Sequence, residues 1–328
     1  MNTVLTDSAS GRDAPAVSII VPAYNCAAFI GETLESVFAQ SFRDYEVIVV
    51  NDGSPDTDEL ERALHPHRER ILYLKQQNRG VSGARNAGIQ SARGALVCLL
   101  DHDDLLEADY LAVLIAAMES DPTIDVIYPN ALVFGDSPYA GREFMDMCPS
   151  EGEVTFETLV TQQCTVMARV LARRAVIVRA GMFDESLSGP EDFDLWLRIV
   201  KLGGRIVYDR RVLARFRRRS GSVSSDPVWM CQQIVRVLDK AQRTMNLMPE
   251  EAAVLRRERA RFQAALRFCQ GKKAFFAGDT KTAIEDLTEA NTFFRSSRIS
   301  LVLFLVRIVP RFLRRAYDIR KRFLGCFV

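Results

Sequence analysis

The chain has 328 residues, a net charge of +1, 48% hydrophobic and 26% charged residues. That length accommodates one large domain with an appendage, or two domains, and the near-neutral charge argues against a chain-wide field that would recruit nucleic acid. Seven scattered cysteines without a C-x-x-C pair and only three histidines argue against a Cys/His zinc site and fit a reducing compartment.

Residues 1–14 are small and polar, which predicts a disordered N-terminus and no secretion signal. Residues 17–22 read as a strand ended by Pro22, and Ala23-Tyr-Asn25 as the loop after it. Ile30, Leu34, Val37 and Phe38 recur at helical spacing over 30–40. Residues 45–50 form a second predicted strand, followed by dense turn chemistry in Asn51-Asp-Gly-Ser-Pro-Asp56. A third strand is predicted over 71–75, a loop over 77–83 and a helix over 84–91. The stretch 95–104, Ala-Leu-Val-Cys-Leu-Leu-Asp-His-Asp-Asp, comes next. Its apolar run predicts a strand buried on both faces, as in a parallel sheet. Strands alternating with helices predict a doubly wound α/β sheet. Ligands of such sheets bind outside the carboxyl ends of the strands, where this strand delivers Asp101, Asp103 and Asp104. Three carboxylates so close repel unless positive charge sits among them. A hard divalent cation accompanied by a diphosphate meets that need; a solvated turn, or a helix N-cap at Asp104, is the plainer reading.

A helix is predicted over 111–118, short strands over 126–128 and 131–134, and a Gly- and Pro-rich loop over 135–153. Residues 172–180 carry three arginines on an apolar background, Glu191 opens a helix, and 205–208 form a last strand. Residues 213–226 are basic, then Gly/Ser-rich. Beyond them helical patterns dominate, which places a boundary near 226. Gly271, Ala274, Gly278, Ala283, Leu287 and Ala290 have the spacing of a tetratricopeptide-type helix pair; a helical hairpin is the simpler reading of 227–295. The tail, 296–328, is apolar over 299–309 but too short to span a membrane. It then carries Arg311, Arg314, Arg315, Arg320, Lys321 and Arg322 against Asp318. Such a basic amphipathic segment suits an anionic membrane surface, or packs as a helix with its arginines in solvent.

Four motifs fall at predicted strand ends: Val21-Pro-Ala-Tyr-Asn25, Val50-Asn-Asp-Gly-Ser54, Asn78-Arg-Gly-Val-Ser-Gly-Ala-Arg-Asn-Ala-Gly88 and Asp101-His-Asp-Asp104. A fifth is Pro190-Glu-Asp-Phe-Asp-Leu-Trp-Leu-Arg198. In order and spacing the set resembles the family 2 glycosyltransferases, over roughly residues 16–226. The resemblance implies a GT-A fold over 15–226, a nucleoside-diphosphate sugar donor, a divalent ion (Mn2+ or Mg2+) and inversion at the anomeric carbon. Pro22, Ala23 and Tyr24 then match the first nucleotide-contacting loop, and Asp52 the carboxylate that bonds the base. Asn78, Gly80 and Arg85 match the loop along nucleotide and diphosphate. Asp101 and Asp103 match the D-x-D motif, with Asp103 as metal ligand and Asp101 on the ribose or in support. Asp192 matches the catalytic base, and Glu191 a contact to acceptor or donor sugar. Asp194 reads as a helix-capping acid and Trp196 as core.

One departure stands out. The family often carries a metal-approaching histidine in the region of residues 216–224, and Arg219 stands there. A guanidinium binds diphosphate oxygens but ligates no metal. His102 is expected to point away from its two neighbours, because side chains alternate along an extended chain. The expected activity is transfer of sugar, UDP-linked by preference, to a hydroxyl of a surface glycan or lipid-linked precursor at the cytoplasmic face of a membrane. A dinucleotide oxidoreductase is excluded by the missing G-x-G-x-x-G after the first strand. The alternative is a catalytically inactive sugar-nucleotide-binding scaffold.

Overall fold

The computed structural model describes residues 14–219 and 226–314. They fall into two compact units that divide between Arg219 and Ser220. The first is built on one sheet of eight strands: β1 (Val17–Ala23), β2 (Tyr45–Asp52), β3 (Leu72–Gln76), β4 (Leu96–Leu99), β5 (Leu105–Leu106), β6 (Val126–Gly135), β7 (Val170–Arg173) and β8 (Ile206–Arg218). Their spatial order is β3-β2-β1-β4-β7-β6-β8-β5. β1 pairs in parallel with β2 on one side and β4 on the other, and β2 with β3. β7 is antiparallel to both neighbours, β6 and β8 are parallel, and β5 is antiparallel to β8.

The expected α/β sheet is therefore present, mostly parallel and doubly wound at its N-terminal half. Chain order reverses between β1 and β4, so a crevice opens there at the carboxyl ends of the strands. Seven helices surround the sheet: α1 (Ile30–Phe38), α2 (Thr57–Leu64), α3 (Gly80–Ser91), α4 (Tyr110–Ser120), α5 (Phe156–Val160), α6 (Arg174–Arg179) and α7 (Glu191–Lys201). Every residue of β1 is buried, which is why it reads as one apolar run. Its proline is tolerated because pairing with β4 stops at Ile20, leaving the edge of Pro22 without a ladder partner there. Helix α3 lies close against β1: a Cβ on Gly88 would collide with Ile20. Ile19, Val21, Val47, Val49, Ile127 and Leu171 sit in the core between these layers.

Two expectations are corrected. The strands predicted over 126–128 and 131–134 are one strand, β6, whose register slips between Pro129 and Ala131; the proline is absorbed as an irregularity rather than a break. The strand expected over 205–208 continues to Arg218. Its arginines masked it, yet they are accommodated by partners: Arg215 pairs with Glu107 at 2.7 Å and the Arg217 guanidinium lies 4.3 Å from the Phe134 ring centre.

The second unit is helical: α8 (Pro227–Thr244), α9 (Pro249–Ala277), α10 (Thr280–Phe294) and α11 (Ser297–Ile308). A Cβ on Gly271 would sit 2.9 Å from Leu287 Cγ, so the small residue lets α9 and α10 approach closely. Asp279 caps α10 by accepting from the Thr282 amide at 3.0 Å. Phe275, Ala283 and Val306 form a core shared by α9, α10 and α11. Among the described residues no helix is long and apolar enough to cross a membrane. The basic stretch from Arg315 onward lies outside the described residues.

Candidate active site

The motif loops converge on the crevice between β1 and β4. Asp52 ends β2 and is 3% exposed. Its Oδ1 accepts from Gln76 Nε2 at 2.7 Å and from the Arg79 backbone amide at 2.8 Å. The aspartate thus pins the loop that carries Asn78 and Gly80, both exposed at the rim. The Asn25 amide donates to Ser54 Oγ at 2.6 Å and the Ala27 amide to Asp56 Oδ2 at 2.9 Å, which ties the loop after β1 to that after β2. Pro22 and Ala23 are buried within β1, so that only Tyr24 of the three expected residues presents a side chain, 45% exposed.

Arg85 joins the two halves of the sequence. It projects from α3, is 3% exposed, and bonds Glu191 Oε1 through Nη1 at 2.6 Å and Asp101 Oδ1 through Nη2 at 2.7 Å. Its guanidinium also lies 5.2 Å from the Phe183 ring centre. Burial works against the charge on Asp101, but Arg85 and Arg169 outweigh it and hold the carboxyl below the usual carboxylate range. Asp192 sits beside this cluster in the first turn of α7. Burial, reinforced by the Glu191 charge, pushes its pKa up to about 7. One carboxylate is thereby held ionised while its neighbour is poised near neutrality. Asp194 lies in the first turn of α7, where an acid was expected, and is also fully buried and paired with Arg198 at 2.7 Å. Trp196 is core, as expected.

The acidic stretch after β4 spreads its carboxylates over different arginines. Asp103 pairs with Arg219 Nη2 at 2.8 Å. Asp104 is no helix cap: it is fully buried, pairs with Arg169, and accepts from the Arg217 amide at 2.9 Å. Antiparallel pairing of β5 with β8, Leu105 opposite Arg215, runs the end of β8 alongside this stretch. Arg217 Nε accordingly donates to the Asp103 carbonyl at 2.9 Å. The His102 ring turns away to the Pro22 carbonyl, at 3.0 Å. Arg169 and Arg217 were not foreseen. Arg169 belongs to no motif, and Arg217 was hidden in a segment read as merely basic. The structure therefore gathers Asp52, Asn78, Gly80, Arg85, Asp101, Asp103, Glu191, Asp192 and Arg219 around the strand ends.

The family model described as "Glycosyl transferase family 2" matches residues 18–176. Residues 18–176 are a glycosyl transferase family 2 domain. An uncharacterised glycosyltransferase of Rickettsia bellii is 28% identical over 218 residues, covering 63% of this chain and 31% of its own length. The chain spans between 31% and 64% of the length of curated relatives of this kind. Among solved structures, S. aureus TarS 1-349 in complex with UDP-GlcNAc superposes with a TM-score of 0.61 at 19% identity, covering 93% of this chain and 91% of that one. The mannosyltransferase PcManGT from Pyrobaculum calidifontis, in complex with GDP-Man and Mn2+, superposes with a TM-score of 0.61 at 19% identity, covering 96% and 89%. These likenesses establish the expected GT-A fold.

The matched segment ends before Glu191, Asp192 and Arg219. Those three reach the site through the fold, Glu191 by its bond to Arg85 and Arg219 by its bond to Asp103.

Proposed function

We propose that this chain is an inverting glycosyltransferase. It moves a sugar from a nucleoside-diphosphate donor, UDP-linked by preference, to a hydroxyl of a surface glycan or lipid-linked precursor. The observation that carries the reading is the convergence of Asp52, Arg85, Asp101 and Asp192 at the crevice where chain order reverses. Asp52, with Tyr24, Asn78 and Gly80 at the rim, receives the nucleotide, and Asp101 supports the ribose side. Asp192 accepts the proton of the attacking hydroxyl as general base. Glu191, held by Arg85, fixes the orientation of that base and contacts acceptor or sugar. A pKa near neutrality suits a base that must be ionised before the reaction and protonated after it.

The Mn2+ or Mg2+ implied by the resemblance fits these side chains poorly. Mg2+ is held by one or two carboxylates together with waters and the phosphates of its substrate, so a site here needs one carboxylate free to take it. Asp101 and Asp104 are committed to Arg85 and Arg169, which leaves Asp103, itself paired with Arg219. Attachment to the cytoplasmic face of a membrane is supported by α11, which exposes Leu301, Phe304 and Ile308. Between Arg295 and Tyr317 the sequence also has six arginines and no carboxylate.

A thermal-shift panel of nucleotide sugars identifies the donor, because a ligand stabilises the native state according to its affinity. Turnover of that donor that is lost in Asp192→Asn, with nucleotide binding kept, is the expected outcome. Binding without turnover in the parent protein would make it the inactive scaffold instead.

A further inference from the structure

Four carboxylates of the site, Asp101, Asp103, Asp104 and Glu191, do not wait for a cation; each already has one. Arg85 takes Asp101 and Glu191, Arg169 takes Asp104, and Arg219 takes Asp103. The last pair differs from the others. Arg85 and Arg169 have side chains 4% and 5% exposed, whereas that of Arg219 is 37% exposed. Its guanidinium is steadied on the other side by the Phe29 ring, 4.5 Å from the ring centre. A guanidinium carries five N–H donors in a rigid fork, more than one carboxylate oxygen can use. Arg219 is thus an anchored, partly open cation standing on the very carboxylate that matches the metal-ligating position.

Resting on the glycosyltransferase reading, we infer that Arg219 supplies the positive charge at the donor diphosphate and that turnover requires no divalent metal ion. The acceptor oxygen forms its bond to the anomeric carbon as the bond from that carbon to the diphosphate oxygen breaks. The electron pair of the broken bond stays on the diphosphate, and the acceptor proton goes to the Asp192 carboxylate. Negative charge therefore grows on the leaving diphosphate, and fixed donors aimed at that charge stabilise the transition state. An arginine fork binds such oxygens in pairs. A dication entering beside Asp103 would have to displace Arg219 or lie against its positive charge, so the ion and the arginine are alternatives at one place.

The test uses the full chain with its best donor, in EDTA and in Mn2+, and compares the parent with Arg219→Ala and Arg219→Lys. The parent should turn over the donor equally in both, within about twofold. Arg219→Ala should lose about 100-fold or more in EDTA and recover part of that in Mn2+, because Asp103 is freed. Arg219→Lys should fall between, keeping the charge but not the fork. The thermal shift given by UDP in EDTA should be present in the parent and lost in Arg219→Ala. A parent that is inactive in EDTA and restored by Mn2+ or Mg2+ overturns the inference and leaves the glycosyltransferase reading intact. So does an Arg219→Ala variant that matches the parent in EDTA. A chain that neither binds nor turns over any nucleotide sugar under either condition sinks both.

Discussion

Arginine is used in opposite ways at the site of the first unit and along and just beyond helix α11 of the second. In the first, Arg85 and Arg169 are buried, 3% and 4% exposed, and closed onto carboxylates. In the second, Arg298, Arg307 and Arg311 lie at the surface beside exposed Leu301, Phe304 and Ile308. Taking an ion out of water costs several kcal/mol, and apolar residues of the same shape often stabilise a fold more than a buried ion pair does. A surface arginine carries no such cost. The buried charges of the first unit are therefore better understood as machinery that the fold tolerates, and the surface charges of the second as a device that costs the fold nothing. The contrast can be broken at either end.

The largest effect belongs to Asp192. Its replacement by Asn should lower turnover by about 10²–10⁴-fold while leaving nucleotide binding in place, measured by donor turnover alongside thermal shift. The same residue sets a pH dependence. Its carboxyl is raised by burial to about 7, and only the ionised form can accept a proton, so the rate should climb as pH rises through neutrality and fall on the acid side. A rate that stays flat through neutrality would remove Asp192 from the role of base.

Next comes Arg85. Truncation to Ala leaves the buried Glu191 and the partly exposed Asp101 without compensation, and should cost about 3 kcal/mol in urea unfolding. The sharper variant replaces all three charges together, Arg85→Met with Asp101→Asn and Glu191→Gln. If these ions serve chemistry rather than the fold, most of the lost stability should return while turnover does not. Recovery of turnover in the triple variant would show the cluster to be structural.

Much of this arrangement was legible in the sequence, and the reasons differ from place to place. The run of residues before Asp101 announced a strand buried on both faces because nothing polar interrupts it, and the acids after it marked the strand's carboxyl end. Asp52, Asp103 and Asp192 were found through motif spacing, since each sits at or just beyond a strand end or a helix start; Arg85 was found through the same motif set, from within α3. Arg169 was invisible: its partner Asp104 lies 65 positions away, and no local pattern signals a contact made by sheet topology. Strand β8 was cut short in prediction because alternation of Arg with apolar residues reads as a solvated basic loop. It becomes a strand only once Phe134, Glu107 and the Asp103 carbonyl are in place to receive those arginines. Asp104 was expected as a cap from its position in the chain; the strand that follows it, burial and an arginine partner decided otherwise.

A smaller effect is expected in the helical unit. A methyl added at Gly271 would meet Leu287 Cγ at 2.9 Å and the Leu287 amide at 3.1 Å, so α9 and α10 must separate. Overpacking of this kind costs about 1–3 kcal/mol, and Gly271→Ala should lower the unfolding free energy by that amount, seen as a lower urea midpoint at unchanged slope. An unchanged midpoint would mean that the helices have slack to give.

The smallest effect on stability separates fold from surface most cleanly. Phe304 and Ile308 are 57% and 60% exposed, while Leu303 and Val306 on the same helix are 6% and 1% exposed. Helix α11 thus spends only one stripe on the core, and a helix apolar beyond its buried stripe has more apolar surface than the fold consumes. Replacing Phe304 and Ile308 together by Ser should change stability by no more than about 0.5 kcal/mol. Co-sedimentation with anionic vesicles should nevertheless drop, since insertion of an interfacial helix scales with the apolar area it buries. Neutral vesicles should bind the parent weakly, because the arginines beside this face act on lipid charge. Equal sedimentation of parent and variant would detach the apolar face from membrane binding and leave it as surface without that use.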